Sequence, residues 1–333
     1  VKNDLKLKLD RAKVKGLVKL ALQEDLDRPA WHRFWFRPMA GRGDVTAKST
    51  ITRDKMARGI ITSKADGIIA GLVVAELVFK MAGGRGKVEF ETKVQDGAEV
   101  NIGDTIAEVY GNARAILLGE RTALNFLGHL SGIATLTRRF VEAVHGQIPI
   151  FDTRKTTPGL RYLEKYAVRC GGGQNHRMGL YDAVLIKDNH IKLQGSQDGK
   201  IKTVVASARR EAPGGMAIEV EASNLKQVEE VIEAGADIIM LDNMGLETIK
   251  EAVKLIHRHQ ASGPPQRGES SPSAGIRHPA IEVSGGITLN NVNAIARAGV
   301  DLISVGALTH SAPALDVSLD IEMPSYFKYS EPR

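Results

Sequence analysis

The segments "EAGADIIMLDN" (Glu233–Asn243) and "RAGVDLISVGA" (Arg297–Ala307) are near-copies, and they set the architecture. Each closes a helix-like run on glycine, places an aspartate two residues later, and passes directly into a short apolar strand. Continuous apolar runs of this kind suit strands covered on both faces, as in a parallel sheet. Working outward, the same strand, closed by a polar residue, recurs in "PIFDTR", "AVLIKDN", "AIEVEAS" and "AIEVSGG". Amphipathic segments such as "NLKQVEEVIEAG", "LETIKEAVKLIHRH" and "TLNNVNAIARAG" lie between them. Such alternation implies parallel strands joined by right-handed crossovers. About six or seven units in about 190 residues favour a barrel, complete or incomplete, over an open sheet.

The N-terminal third follows other rules. Val14, Leu17, Val18, Ala21 and Leu22 fall at helical spacing. An arginine-rich loop, residues 27–43, then carries both tryptophans, Trp31 and Trp35. Interleaved aromatics and arginines suit base stacking, but with no nucleic-acid-binding pattern around it the loop reads as folding back on its own domain or a partner subunit. From Ile60 to Tyr110 short alternating strands break at Gly and Asp-Gly turns, giving a small α+β domain. Its "DGAEVNIGDTIAEVYG" resembles a carrier-domain hairpin, but Asp96-Gly97 stands where a carrier needs an exposed lysine, so it reads as scaffold. Beyond Arg114 comes a long helical region, with breaks expected near Gly128 or Gly132. The organisation expected is therefore a first domain over 1–113, a barrel over 114–315, and a tail, 316–333, returning to the first domain. The Ser/Pro/Gly-rich stretch 259–279 reads as a surface insertion.

With 333 residues, 43% hydrophobic and 25% charged, the chain has room for one large core or two modest ones, and wholesale disorder is excluded. A net charge of +6 and a pI near 9.3 point to an anionic partner: nucleic acid, an acidic membrane surface or a polyanionic small molecule. The sole cysteine, Cys170, excludes an intrachain disulfide and a CxxC metal knot. Beside three glycines and without an adjacent base, it reads as structural. No apolar run approaches about 18 residues, so no spanning helix is predicted. The first twenty residues lack a signal-peptide apolar block, and a cytoplasmic enzyme is expected.

In a βα barrel the chemistry gathers at the carboxyl ends of the strands. Those ends carry Asp152-Thr153-Arg154-Lys155, Lys187-Asp188-Asn189, Glu221, Asp242-Asn243, Ser284-Gly285-Gly286 and Gly306. Packing alone gives no reason for so many ionisable groups. The mixture suits a polyanion together with a metal or a developing carbocation. "EVSGGI", followed about 20 residues on by "ISVGALTHS", has the form of a phosphate grip, where small-residue loops bring backbone N–H groups close to phosphate oxygens. Glu219 and Glu221 share one face of a strand, Glu221 nearer the mouth and Glu219 deeper. With Asp242 they suit Mg²⁺, directly or through water; stabilising positive charge on a sugar ring, or buried ion pairs with lysines, are the alternatives. Arg154, Lys155, His176, Arg177 and Lys187 read as ligand contacts, arginine offering paired donors and lysine a point charge. Arg161, Lys165 and Arg169, spaced by four with Glu164 among them, read as a solvated, salt-bridged helix face.

These residues closely resemble the quinolinate phosphoribosyltransferase family of NAD biosynthesis. The resemblance runs from about Leu17 to Asp320 and is carried by "ERTALNFLGHLSGIAT", "DTRKTTPGLRYLEKYAVRCGGGQNHRMGLYDAVLIKDNHI", "IEVEAS", "IIMLDN" and "EVSGGI…VGALTHS". It implies an α/β protein: an N-terminal α+β sandwich domain followed by an incomplete, open barrel. The implied reaction joins quinolinate to phosphoribosyl pyrophosphate, releasing pyrophosphate and CO₂ and giving nicotinate mononucleotide. By motif, Arg121, Arg154, His176, Arg177 and Lys187 would hold the quinolinate carboxylates. Lys155, Glu221 and Asp242 would face the phosphoribosyl pyrophosphate and its Mg²⁺, and Ser284, Gly285, Gly286, Gly306 and His310 would hold the 5′-phosphate. The resemblance further implies a homodimer or larger homo-oligomer, with Arg121 entering the neighbour's site. Loss of CO₂ leaves a carbanion to be protonated, and a lysine such as Lys155 is a candidate donor. The loop around Trp31 and the insertion after His259 are longer than the family's usual connections. The count of cations disfavours a rival phosphoribosyltransferase acting on a pyridine monocarboxylate without decarboxylation. A nucleic-acid-binding protein using the Trp31–Arg42 loop is the rival from another class; neither nucleic acid nor membrane is the partner expected.

Overall fold

The computed structural model describes residues 9–26, 43–84, 88–193, 200–261 and 279–322. The aromatic loop, the Ser/Pro-rich insertion and the end of the tail lie outside these residues, save for their flanks. Along the chain come α1 (Arg11–Leu26), α2 (Val45–Thr50), β1 (Met56–Ser63), β2 (Gly67–Ile68), α3 (Leu72–Gly83), β3 (Glu89–Thr92), β4 (Glu99–Val100), β5 (Thr105–Asn112) and α4 (Ala113–Ala143). Then follow β6 (Ile150–Phe151), α5 (Arg161–Cys170), β7 (Val184–Ile186), α6 (Asp188–Lys192), α7 (Lys200–Glu211), β8 (Ile218–Ala222) and α8 (Leu225–Ala234). The last are β9 (Ile238–Asp242), α9 (Leu246–Ala261), β10 (Ala280–Ser284), α10 (Val292–Ala296), β11 (Leu302–Ser304), α11 (Ala307–His310) and β12 (Val317–Glu322). Contacts divide the chain into 1–136 with 312–333, and 137–311. The division falls within α4, not at its start.

The first unit is built on an antiparallel sheet of order β12-β1-β5-β3. β12 closes one edge, pairing Arg58 with Glu322 through Ser63 with Val317. The apolar run "LVVAELVF" forms α3, which the strand-rich expectation for Ile60–Tyr110 did not contain; it buries Val74, Ala75, Val78 and Phe79. Asp96 of the Asp-Gly turn accepts the Leu72 N–H at 3.0 Å, so that turn caps α3. Helix α4 is continuous over 31 residues, with no break at Gly128 or Gly132. The glycines answer to packing instead. A Cβ on Gly132 would lie 2.0 Å from the Pro313 carbonyl oxygen, and Gly128 accepts the Leu315 N–H at 2.9 Å.

The second unit holds a six-stranded parallel sheet, β6-β11-β10-β9-β8-β7. From β7 onward each strand pairs with the next in sequence, and β11 returns to β6, leaving a barrel wall open between β6 and β7. One face of the sheet is apolar, with Ile239, Leu241, Ile281, Val283 and Ile303 in register across it and almost wholly buried; full burial of such a side chain stabilises by about 1.5–3 kcal/mol. The twinned segments now show why they match. Asp237 accepts the Ile218 N–H at 2.7 Å and Asp301 accepts the Ile281 N–H at 2.7 Å. Each aspartate thus ties its own strand to the start of the preceding one. Gly235 supplies the positive φ that ends α8, and Gly299 takes a positive φ in the turn between α10 and β11.

Candidate active site

At the carboxyl ends of these strands lies a cavity of about 280 Å³. Arg154 and Lys155 follow β6, Lys187 follows β7, Asp242 ends β9, and Ser284 ends β10; all of them line it, together with Thr153, His176, Arg177, Leu185, Met240, Glu282 and Ser304. Arg121, on α4, stands exposed in the other unit. Every other residue expected to bind a dianion therefore faces one small space.

The cations are set by backbone contacts. Arg177 donates from Nη1 to the Ala183 carbonyl at 3.0 Å, and its pKa is lowered by burial first and by the Arg154 charge second. Two guanidinium groups facing one space suit an anion between them. The Nε of Arg154 is buried and lacks a partner among the described residues. Lys187 meets Glu221 at 2.5 Å near the surface.

The inner wall is acidic, which the sequence reading anticipated only for Glu219. His176 Nε2 lies 3.2 Å from Glu219 and 3.5 Å from Glu282. Burial depresses the ring's pKa, and the bonds to and charges of both carboxylates pull it upward. Against that pull, Nδ1 accepts the Arg177 backbone N–H at 2.8 Å. A peptide N–H is always a donor, so Nδ1 must keep its lone pair for this bond to exist. The ring proton consequently sits on Nε2 and points at Glu219. These three residues bring ligand-type atoms together, but a ring nitrogen bearing its proton is no metal ligand. Glu219 is pushed up to about 7, by burial first and by the charge of Glu282 second. Both oxygens of Glu282, and Oε1 of Glu219, are buried without hydrogen-bond partners among the described residues.

Toward the rim, Asp242 is raised by burial first and by the charge of Glu221 second, while Lys187 and Lys155 oppose the shift. Two carboxylates crowded in this way fit a hard divalent cation whose remaining ligands are phosphate oxygens and water. The Ser284-Gly285-Gly286 turn takes positive φ at both glycines (84° and 65°). A Cβ on Gly285 would lie 2.9 Å from the Asn243 backbone nitrogen, which itself donates to the Ser284 carbonyl at 2.8 Å. Glycine is thus needed here for a close approach between two strand ends. Gly306 sits beside Lys155 and His310, and Thr309 donates to the Lys155 carbonyl at 2.7 Å.

One expectation fails outright. Lys165 is not on a solvated face: it is 1% exposed and bonded to the wholly buried Asp152. Glu164 is buried too, accepting the Thr157 N–H at 3.0 Å, and Arg161 donates to the Met178 carbonyl at 3.1 Å. Spacing by four also describes a helix inserted among polar partners, and α5 buries Leu163, Tyr166, Ala167 and Val168 on other sides. Glu282 went unremarked inside "AIEVSGG", although its position two residues before Ser284 puts both on one strand face.

Comparison with known proteins agrees with this geometry. The family model described as the N-terminal domain of quinolinate phosphoribosyl transferase matches residues 44–131, and that of the C-terminal domain matches 133–320. The chain is 43% identical over 293 residues to the Synechocystis sp. protein named "Probable nicotinate-nucleotide pyrophosphorylase (carboxylating)", covering 87% of this chain and 91% of the relative. It is 39% identical over 325 residues to quinolinate phosphoribosyltransferase (decarboxylating) 2a, mitochondrial, of Nicotiana tabacum, covering 93% and 82%. The solved nicotinate-nucleotide pyrophosphorylase of Francisella tularensis superposes with a TM-score of 0.77 at 36% identity, over 95% of this chain and 98% of that one. With both domains matched in order and the cationic cavity in the second, the chain belongs to the quinolinate phosphoribosyl transferase family.

Proposed function

We propose that this chain condenses quinolinate with phosphoribosyl pyrophosphate, releasing pyrophosphate and CO₂ to give nicotinate mononucleotide for NAD biosynthesis. The carrying observation is the convergence of Arg154, Arg177 and Lys187 on one small cavity beside the Ser-Gly-Gly turn. Two carboxylates on one ring require several charge-assisted donors, and a site of strong positive potential offsets their repulsion. Arg154, Arg177 and Lys187 supply those donors. His176, with both ring nitrogens engaged, shapes the inner wall with its ring. We assign Arg121 to the neighbour's site in a homodimer.

Transfer forms a bond between the pyridine nitrogen and ribose C1 as the pyrophosphate oxygen leaves. Glu221 and Asp242 favour the positive charge that develops at C1, and Lys155 offers charge to the phosphates. Ser284, Gly285, Gly286, Gly306 and His310 hold the 5′-phosphate. Mg²⁺, held by Glu221 and Asp242 directly or through water, supplies charge neutralisation for the pyrophosphate when bound. The alkylated ring then accepts the electron pair of the C2–carboxylate bond, CO₂ departs, and a proton reaches C2; we assign Lys155 as its donor. No helix among the described residues is long and apolar enough to cross a membrane. We place the reaction in the cytoplasm, in keeping with a sequence whose sole cysteine admits no intrachain disulfide.

The test is release of labelled CO₂ from 2-carboxyl-labelled quinolinate, dependent on phosphoribosyl pyrophosphate. Product from nicotinate in place of quinolinate would reverse the assignment.

A further inference from the structure

Buried in the second unit, Asp152 and Lys165 grip the backbone of His176 on both sides, the N–H of the 175–176 peptide and the carbonyl of the 176–177 peptide, and Asn175 braces the two. Asp152 Oδ1 accepts the His176 N–H at 2.9 Å, while Lys165 Nζ donates to the His176 carbonyl at 2.9 Å. The same aspartate and lysine are bonded to each other. Asn175 donates to Asp152 Oδ2 at 2.6 Å and to the Lys165 carbonyl at 2.9 Å. Both polar groups of residue 176 are thereby grasped by the two halves of one ion pair. The pair also ties α5 to the end of β6. Asp152 continues from β6, Lys165 comes from α5, and Gln174 lies alongside Phe151 as a single parallel bridge. The next residue, Arg177, donates its N–H to the His176 ring.

A fold needing only packing gains little from a buried ion pair, since an apolar pair of similar volume often serves as well. What this pair does supply is direction, because charged donors and acceptors fix the peptide they hold. We propose that Asp152, Lys165 and Asn175 are positioning residues that set the 176–177 peptide, and through it the Arg177 guanidinium, for the acidic aromatic substrate. The inference rests on the assignment of quinolinate to this cavity. None of the three touches the phosphate end of the site. Their effect is therefore specific to one substrate.

The experiment compares steady-state KM values for quinolinate and for phosphoribosyl pyrophosphate in the full chain and in Lys165→Met and Asn175→Ala. Lys165→Met is expected to raise KM for quinolinate at least tenfold and Asn175→Ala about threefold to fivefold, with KM for phosphoribosyl pyrophosphate within twofold of the parent. Removing one partner of a buried pair endangers folding. Asn175→Ala leaves the pair in place, and if Lys165→Met does not fold, Asn175→Ala decides alone. Equal shifts in both KM values, or none in that for quinolinate, overturn the proposal. An inactive parent chain would instead overturn the assignment of the reaction.

Discussion

Gly306→Ala separates a glycine kept for its site from one kept for its backbone. Gly306 has φ −63° and ψ −32°, a helical conformation that alanine adopts freely. At such a position alanine adds about 0.4–1 kcal/mol of stability by restricting the unfolded chain. Its Cβ, however, would lie 3.1 Å from Lys155 Cδ and 3.3 Å from His310 Nε2. Both side chains are exposed and can move aside by a few tenths of an ångström, so the fold is not penalised. The phosphate-facing groups are. Weakening one charge-assisted hydrogen bond by about 1.5 kcal/mol corresponds to about tenfold in affinity. We expect KM for phosphoribosyl pyrophosphate to rise about tenfold, with KM for quinolinate nearly unchanged and a melting temperature equal or slightly higher. Gly285→Ala is the contrast, since positive φ and the 2.9 Å approach to Asn243 require the backbone itself to shift; a loss of about 2–4 kcal/mol is expected. Initial rates with each substrate varied at saturating levels of the other, and calorimetry of both variants, provide the readout. A Gly306→Ala chain that melts much lower, or keeps its KM for phosphoribosyl pyrophosphate, contradicts the argument.

Glu219 is raised from 4.5 to about 7, so its contribution to stability is complete below about pH 4.5 and lost as pH rises through about 7. Glu219→Gln does not titrate, and the variant should gain on the parent between pH 5 and pH 8 in urea midpoints; an identical gap at both pH values counts against it. Asp301→Ala leaves the Ile281 N–H without its 2.7 Å acceptor in a buried strand, at a cost of about 1–3 kcal/mol by urea denaturation. Chelation by EDTA should abolish labelled CO₂ release and Mg²⁺ should restore it; activity untouched by chelator removes Glu221 and Asp242 from metal binding. Finally, inactive Arg121→Ala and Lys155→Ala chains, unfolded and refolded together in equal amounts, should regain about a quarter of native activity if sites are shared across a two-fold interface. No recovery places Arg121 in its own subunit's site.

The barrel half could be read from its sequence because one physical rule governs it. Strands covered on both faces are apolar along most of their length, and the polar residues that end them mark where burial stops. All six predicted strands form. The first unit was harder. The "LVVAELVF" helix has an apolar run as compatible with a strand as with a helix. Glycines in α4 imitate helix breaks unless one knows that the chain near Pro313 and Leu315 returns against them. That return is a contact across most of the chain's length, and local periodicity carries no information about it.

The site divides along the same line. Arg154, Lys155, Lys187, Asp242 and Ser284 follow from strand-end position, His176 and Arg177 from their place after the glycine run, and all of them line one cavity. The acidic residues beneath them do not follow from it. A charged residue inside an apolar strand is read as an interruption until its partner is visible, and the partners of Glu219 and Glu282 come from a loop far away in sequence. Lys165 was misplaced for the converse reason: on a helix, regular charge spacing describes a wet face and a polar plug equally well. Burying a lone charge costs far more than burying a matched one. A cation at such a position therefore poses one question, whether the chain elsewhere delivers a carboxylate to meet it. Here β6 does so, in the residue immediately after Phe151. The aspartate of "DTRK", which stands in the sequence as one more ionisable group at a strand end, is the carboxylate that meets Lys165 and takes the His176 N–H ahead of Arg177.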